Sequence, residues 1–143
     1  MKESIALSPV DKVLCLQLVD VFKHASTEML AYIGSIAHEL NAPRGHVIFS
    51  RESISDAMYV VVKGRVRLDN AGQEIQMVSP GQSFGTWALF DNQPRVMTAT
   101  AVEDVHWLTI RSEDFYDLLS DHDEITPVIF KAVIERVNRL ISD

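Results

Sequence analysis

The sequence contains a single cysteine, and this scarcity excludes several kinds of site at once. Cys15 has no partner for an internal disulfide, and a Cys-rich metal site would need several thiolates. The five histidines include no pair at a metal-ligand spacing such as His-x-His or His-x-x-x-His. We therefore expect no metal site and a protein of a reducing compartment, for which the cytoplasm is the default.

Basic residues and long apolar runs are also few. The chain has 13 Lys+Arg against 20 Asp+Glu, and its net charge of -7 gives a field that repels nucleic acid. The longest uncharged stretch, Ile75–Phe90, is interrupted by Ser, Pro, Gly and Gln, so no segment is expected to span a membrane. Residues 1–8 show no basic region followed by an apolar core, so we expect no signal peptide.

What remains is the composition of an ordinary globular domain. Hydrophobic residues make up 47% of the 143 residues and charged residues 23%, which is enough for one continuous core and too little for two. The sequence therefore predicts a single domain over residues 1–143, with no repeat and no low-complexity tract.

The N-terminal part predicts two helices within a helical region, residues 8–42. Ser8 is a suitable cap for the first helix, and Pro9 follows it at a position that needs no amide donor. A second helix is predicted from near Ser26 to about Leu40, because apolar residues recur there at helical spacing.

From residue 46 the hydrophobic period changes toward two, which predicts short antiparallel strands. The predicted strands are Val47–Ser50, Met58–Lys63, Arg65–Asp69, Glu74–Val78, Val96–Val102 and Val105–Arg111. With their partners they make about eight strands, a number that suits a jelly-roll or barrel over residues 46–111.

Two further helices are predicted at the C-terminal end, over residues 112–141. The first opens at Ser112, and the last follows a capping-box pattern at residues 121–124 and continues to about Ile141. The last helix is predicted to bury Ile125, Ile129, Val133, Val137 and Leu140. The fold class is therefore α+β: an eight-stranded antiparallel β-jelly-roll or barrel flanked by N-terminal and C-terminal helices.

The segment from Phe84 to Arg95 has no strand period and combines a glycine, small residues and one arginine. A helical turn that starts at Gly85 would direct unpaired amides outward and attract an anion, which the guanidinium of Arg95 could also reach. The alternative is that Gly85 only serves a turn and that Arg95 pairs with Asp91 or another acid at the surface.

These features together resemble the cyclic nucleotide-binding domain family, the sensory module of catabolite activator proteins, cyclic-AMP-dependent kinase regulatory subunits and gated channels. The family's Tyr-containing strand and the glycine after it correspond to Met58–Lys63 and Gly64. Its phosphate cassette, Phe-Gly-Glu-x-Ala-Leu followed by Pro-Arg, corresponds to residues 84–89 and to Pro94 and Arg95. The resemblance covers most of the chain, and it implies a hinge helix after residue 112 and a lid helix over residues 125–141.

The resemblance also implies a ligand, cyclic AMP or cyclic GMP, and a set of binding residues. Arg95 would bind the exocyclic phosphate together with the backbone amides of Ala88 and Leu89. The ligand-binding residues implied in this way are Phe84, Gly85, Thr86, Trp87, Ala88, Leu89, Arg95, Val96 and Met97. No other cofactor and no catalytic residue is expected, because no nucleophile-base or metal constellation is visible.

Three residues depart from the family's pattern. Thr86 stands where a glutamate usually accepts a hydrogen bond from the ribose 2′-hydroxyl, Met97 stands where a small alanine is usual, and Trp87 is bulky. Two hypotheses therefore stay open. The domain is a sensor that moves its hinge and lid helices on ligand binding, or it has lost the nucleotide and acts as a protein interaction or dimerisation module.

The C-terminal end bears on partners. The family's transcription factors carry a helix-turn-helix after the lid helix, and the chain stops at Asp143, so we expect no DNA-binding domain in it. Apolar residues Phe130, Ile134 and Ile141 extend the surface of the last helix and form either a homodimer seam or a cover for the barrel mouth. An output domain would be attached covalently or docked, and the chain would then be the cytosolic part of a larger, bacterial protein.

Overall fold

Helices lie at both ends of the chain and strands lie between them. The computed structural model describes residues 6–91 and 94–141. Its helices are α1 (Pro9–Leu16), α2 (Thr27–Ser35), α3 (Ser112–Asp121) and α4 (Ile125–Ile141), with short 3-10 helices at Asp20–Phe22 and Thr86–Leu89. Its strands are β1 (Ala37–Ala42), β2 (Val47–Phe49), β3 (Ala57–Lys63), β4 (Val66–Asn70), β5 (Gln73–Val78), β6 (Ser83–Phe84), β7 (Thr98–Ala101) and β8 (Val105–Arg111).

The strands form two four-stranded antiparallel sheets. One has the order β1-β8-β3-β6 and the other has the order β2-β7-β4-β5. Strands distant in sequence are neighbours in both sheets, as in a jelly-roll, and the α+β jelly-roll predicted from the sequence is confirmed.

Strand β3 separates two hydrophobic clusters, where the composition predicted one continuous core, because its alternate side chains point to opposite faces. Met58 and Val60 pack with β8 residues and with the helices, in a cluster that also contains Phe22 and Phe115. Tyr59 and its alternate neighbours pack between the two sheets, in a second cluster. The first cluster attaches the helices to the sheets, and the second forms the floor of the cavity described below.

The predicted start of the first helix is confirmed in detail. The Ser8 hydroxyl accepts a hydrogen bond from the Asp11 amide, and the Asp11 carboxylate accepts one from the Ser8 amide. Pro9 occupies the first helical position, where no amide donor is needed.

The predicted helical region 8–42 is wrong at its end. Helix α2 ends at Ser35, and β1 begins at Ala37, so the β-roll starts well before residue 46. Every residue of β1 pairs with β8, and Leu40, expected on a buried helical stripe, is 48% exposed. A full strand partner thus outweighs the helical spacing of a few apolar residues, because local propensity is a weak preference.

Two smaller predictions also need correction. Ser83 and Phe84 pair with β3 as the short strand β6, in a segment that shows no strand period in the sequence. In α4 only Ile125, Ile129 and Ala132 are buried, whereas the predicted core residues Val137 and Leu140 are 41% and 73% exposed. Among residues 6–91 and 94–141, no helix is both long and apolar enough to cross a membrane.

Candidate ligand-binding site

A cavity of about 440 Å³ opens beside the 3-10 helix Thr86–Leu89. This volume lies in the usual range for small-molecule sites. Strands β2, β4 and β5 supply one wall through Phe49, Leu68 and Gln76, and α4 contributes Arg136. The cassette and the segment before β7 supply most of the remaining lining residues, which are Ser83, Phe84, Gly85, Thr86, Trp87, Ala88, Asp91, Pro94, Arg95, Val96 and Met97.

The structure brings together most of the residues that the sequence assigned to a site. The cavity is lined by eight of them, Phe84, Gly85, Thr86, Trp87, Ala88, Arg95, Val96 and Met97. The ninth, Leu89, does not line it, because its side chain is fully buried in the core beneath the helices.

Arg95 is the buried charge of this cavity. Its side chain is 6% exposed, its Nη2 donates a hydrogen bond to the Ala57 carbonyl at 2.7 Å, and its guanidinium lies 4.2 Å from the centre of the Phe49 ring. Its Nε has no hydrogen-bond partner among the described residues. Burial lowers the pKa of Arg95, and nearby Tyr59 and Asp56 oppose that shift. The guanidinium nevertheless stays charged, as arginine does in proteins.

The alternative in which Arg95 pairs with an acid at the surface is therefore wrong. No carboxylate of residues 6–91 or 94–141 forms an ion pair with it, Asp91 included. The ring faces of Phe49 and Tyr59 instead surround a guanidinium that has no ion-pair partner among the described residues. An anion that enters the cavity would supply the missing partner.

Gly85 gives Arg95 the space that it occupies. The backbone of Gly85 has a φ of +68°, in the left-handed region, and a Cβ at this position would lie 2.7 Å from Nη1 of Arg95. A side chain would therefore be strained by the backbone and would displace the guanidinium. Gly85 also precedes the 3-10 helix, so the same residue allows the turn to form and leaves space for the Arg95 guanidinium.

The backbone of the turn differs from the prediction at one amide. The Ala88 amide donates to the Gly85 carbonyl at 3.1 Å, whereas the resemblance implied an amide that is free to bind an anion. A 3-10 turn satisfies its amides three residues back, and this leaves less for a ligand than an open turn would. The side chain of Arg95 is thus a better-defined contact for an anion than the Ala88 amide is.

The three departures from the family's pattern all lie at the cavity. Thr86 is 4% exposed, and its hydroxyl lies 3.1 Å from that of Ser83. Met97 is half-buried and Trp87 is 44% exposed, and both line the cavity without filling it. Thr86 therefore removes a carboxylate from the site, while the two bulky residues leave room for a ligand.

Among the cavity residues that were not assigned from the sequence, which include Phe49, Leu68 and Gln76, Arg136 is the one that carries a positive charge. It is half-buried on α4, and its guanidinium carbon lies over the Trp87 ring, 5.0 Å from the ring centre. A signal was present in the sequence, because Arg136 continues the i, i+4, i+7, i+11 stripe of the buried residues Ile125, Ile129 and Ala132. A charge on an apolar stripe indicates that the end of the stripe faces a polar cavity.

No group of three or more His, Cys, Asp or Glu side chains among the described residues is arranged to hold a metal ion. The polar groups that line the cavity are two arginines, the hydroxyls of Ser55, Ser83 and Thr86, the Gln76 amide and the Asp91 carboxylate, beside aromatic faces. These groups suit a planar, anionic ligand rich in hydrogen-bond acceptors.

Comparison with known proteins agrees with this chemistry. Residues 39–122 match the model of the cyclic nucleotide-binding domain, a segment that includes the cassette, Arg95 and all eight strands except the first two residues of β1. The chain belongs to the cyclic nucleotide-binding domain family.

Its similar proteins include a transcriptional regulator and an ion channel. The chain is 22% identical over 124 residues to a CRP-like cAMP-activated global transcriptional regulator of Mycobacterium tuberculosis, covering 83% of this chain and 55% of the relative. It is 30% identical over 118 residues to a cyclic nucleotide-gated potassium channel of Rhizobium etli, covering 82% of this chain and 33% of the relative. The chain thus spans about half or less of the length of these relatives.

A solved structure shows the same arrangement. The N-terminal domain of a transcriptional regulator from Streptomyces coelicolor superposes with a TM-score of 0.82 and 26% identity, over 86% of this chain and 91% of that one. The likeness therefore extends over nearly the whole fold.

Proposed function

We propose that this domain is a non-catalytic sensor that binds a cyclic nucleoside monophosphate, cyclic AMP or cyclic GMP, in the cavity beside the 3-10 helix. The observation that carries the proposal is the buried guanidinium of Arg95, which has an unpartnered Nε and no ion pair among the described residues. The family membership of the chain supports the same ligand class.

The energetics favour an anion at this position. A buried donor without a partner costs about 1–3 kcal/mol relative to a satisfied one, and more when it is charged. A cyclic phosphate has acceptor oxygens that suit the fork of a guanidinium. It also carries a negative charge, which would lie opposite the positive charge of Arg95. Binding of an anion would thus remove the free-energy cost of the unpartnered Arg95 Nε in the ligand-free fold.

Ligand binding can be transmitted because the cavity is shared between the β-roll and α4. Arg136 on α4 lines the cavity and contacts Trp87 of the cassette, so a ligand in the cavity faces both parts. The ligand moves the helices only to the extent that it binds one arrangement better than the other. We propose that α3 and α4 act as hinge and lid in this sense.

The test is a calorimetric titration with cyclic AMP and cyclic GMP, with tryptophan emission followed in parallel because Trp87 lines the cavity. We expect saturable binding that Arg95→Lys weakens by about 10- to 100-fold, because lysine keeps the charge and loses the fork. Arg65→Lys is the matched control, since Arg65 is exposed and paired with Glu103. Equal affinity in Arg95→Lys and the wild type would contradict the proposal.

The second candidate function is a protein interaction module without a nucleotide. The observation that favours it is Thr86, whose hydroxyl faces Ser83 where the family usually has a carboxylate for the ribose. In that case the titration shows no heat up to millimolar ligand. Binding restored in Thr86→Glu would then identify the residue that had been lost.

Partners and location remain part of the proposal. Phe130, Ile134, Val137 and Ile141 are exposed on α4 at alternating spacings of four and three, a pattern that suits a second copy of the helix. Sedimentation equilibrium tests whether the chain is a homodimer through this face. An attached or docked output domain and a cytoplasmic location stay predictions, the latter because one cysteine suits a reducing compartment.

A further inference from the structure

Ser55 brings a buried hydroxyl to the cavity from the loop between β2 and β3. The residue is 7% exposed and lines the cavity. Its hydroxyl forms no hydrogen bond with any described residue, although a buried polar group without a partner is costly. The hydroxyl is therefore available to a ligand in the cavity.

The loop that carries Ser55 is bonded to Arg95 on both sides of the serine. The Arg95 amide donates to the Ser53 carbonyl at 2.9 Å, and Nη2 of Arg95 donates to the Ala57 carbonyl at 2.7 Å. Ser55 is the middle residue between these two acceptors. Because the loop contacts both the backbone and the side chain of the same arginine, the fold sets the position of Ser55 relative to the guanidinium.

A phosphate bound at Arg95 can accept more hydrogen bonds than the guanidinium fork supplies. A bidentate contact of this kind uses two parallel N–H groups, and the two exocyclic oxygens of a cyclic phosphate keep further lone pairs. The Ala88 amide, which the resemblance implied as a donor, is already bonded to the Gly85 carbonyl. A serine hydroxyl has one O–H donor, which rotates to suit its acceptor. Ser55 can thus supply the donor that the Ala88 amide does not.

We propose that the Ser55 hydroxyl donates a hydrogen bond to one exocyclic oxygen of the bound cyclic phosphate, beside the contact of Arg95. This inference rests on the proposed function and adds a binding residue to the same site. It makes the two exocyclic oxygens inequivalent, because the hydroxyl binds one of them. Hydrogen bonds to a charged acceptor are stronger than those between neutral groups, so the loss of this bond is measurable in the affinity.

The first measurement compares Ser55→Ala with the wild type in titrations with cyclic AMP and cyclic GMP. Ser55→Ala should weaken binding about 10-fold, as expected for the loss of one hydrogen bond to a charged group. Among the described residues, the non-glycine residues with a positive φ are Glu52 and Ala71, so Ser55→Ala adds no backbone strain. Ser50→Ala is the matched control, because Ser50 is exposed in the same loop and does not line the cavity. Its affinity should equal that of the wild type.

The second measurement separates a ligand contact from a structural effect. Each of the two phosphorothioate diastereomers of a cyclic nucleotide has sulfur, a weak acceptor, in place of one exocyclic oxygen. The loss of affinity in Ser55→Ala should stay about 10-fold for one diastereomer. It should fall to about twofold or less for the other, because sulfur already weakens the bond that the substitution removes.

Circular dichroism checks that each variant folds. Ser55→Cys keeps nearly the size of the side chain and has only a weak donor, so it should lose affinity as Ser55→Ala does. This second variant distinguishes the loss of the donor from the loss of volume in the cavity wall.

The outcomes separate this inference from the proposed function. If the wild type binds a cyclic nucleotide through Arg95 and Ser55→Ala binds it equally tightly, the inference is wrong and the sensor remains. An equal loss with the cyclic phosphate and with both diastereomers would also overturn the inference, because Ser55 would then act only through the structure. If neither nucleotide binds the wild type, both the inference and the proposed function are wrong.

Discussion

At the scale of single residues, Arg95 shows how the fold holds a charge without neutralising it. The Ala57 carbonyl accepts one hydrogen bond from it, Phe49 covers one face, and Gly85 leaves the space beside Nη1. These contacts fix the orientation of the guanidinium while leaving its Nε without a partner among the described residues. The arginine is thus oriented before a ligand binds, which reduces the cost of binding.

Gly85→Ala tests this arrangement. We expect it to destabilise the fold by about 2 kcal/mol or more, since it adds a left-handed alanine and a clash with Arg95. It should also weaken cyclic nucleotide binding at least about tenfold, because the guanidinium must move. Urea unfolding and calorimetry measure the two effects.

Gly72→Ala is the control for the backbone alone. Gly72 has a φ of +87°, but no atom lies within 4 Å of the position of its Cβ, so only the conformational cost of about 1 kcal/mol is expected. Its ligand affinity should equal that of the wild type. Equal effects of the two substitutions on affinity would show that Gly85 has no part in positioning Arg95.

At this scale the sequence indicated the cassette and Arg95 but not the residues that other elements bring to the cavity, among them Arg136. The cassette lies in a continuous segment, so its residues could be assigned together by resemblance. Arg136 lies 41 positions after Arg95, and although its place on the apolar stripe of α4 indicates that it faces inward, the stripe does not indicate which cavity the helix packs against. The hydrogen bond of the Ala88 amide was also missed, because it depends on the 3-10 geometry of the turn.

At the scale of elements, the two halves of α4 are attached to the rest of the domain by different kinds of contact. Its first half buries Ile125, Ile129 and Ala132. Its second half is attached by polar contacts to the segment around the first 3-10 helix. These are the contacts of Glu135 with Lys23 and His24, and of Arg139 with Asp20. A half-helix held by exposed charges can detach at little cost.

The pKa of Glu135 gives this attachment a pH dependence. Hydrogen bonds from His24 and then Lys23 lower the pKa of Glu135. Because the folded-state value lies below the ordinary one, the contact stabilises the structure above the ordinary glutamate pKa of about 4.3, and that stabilisation is lost as the pH falls through the lowered value. Hydrogen exchange at residues 134–141, corrected for intrinsic rates, should show weaker protection at the lower pH.

Glu135→Gln should weaken the protection at neutral pH and reduce its dependence on pH in this window, while the contact of Arg139 with Asp20 is kept. Glu113→Gln is the matched control, because Glu113 is exposed on α3 and has no ion pair among the described residues. If protection of the end of α4 is identical in Glu135→Gln and the wild type, the charged contact does not hold the helix.

The strands also show which part of the fold could not be predicted from the sequence. Strand β8 was assigned correctly as Val105–Arg111, because its apolar residues and turn signals are local. Its partner β1 was assigned to a helix, because Ile33, Ile36 and Leu40 fit a helical stripe and the pairing with β8 is separated by about 70 residues in sequence. Pairing between strands so far apart in sequence cannot be detected in a short segment of the sequence.

At the scale of the whole molecule, the charge that lines the cavity is opposite in sign to the net charge of the chain. The chain carries a net charge of -7, yet the described lining of the cavity contains two arginines and one acid, Asp91. A low-dielectric cavity with this lining has a local positive potential that attracts an anion from solution. Net charge is a sum over the whole chain, so it carries no information about the sign of the potential in a single cavity.

The central claim is that Arg95 binds the phosphate of a cyclic nucleotide, and the Nε–H signal of Arg95 in a nitrogen–proton NMR spectrum tests it most directly. Arg95→Lys assigns the signal, and guanosine and adenosine, which lack the phosphate, are the controls. We predict a downfield shift of the Arg95 Nε–H proton on saturation with cyclic GMP or cyclic AMP and none with the nucleosides. A saturating nucleotide that leaves this signal unchanged would contradict the account.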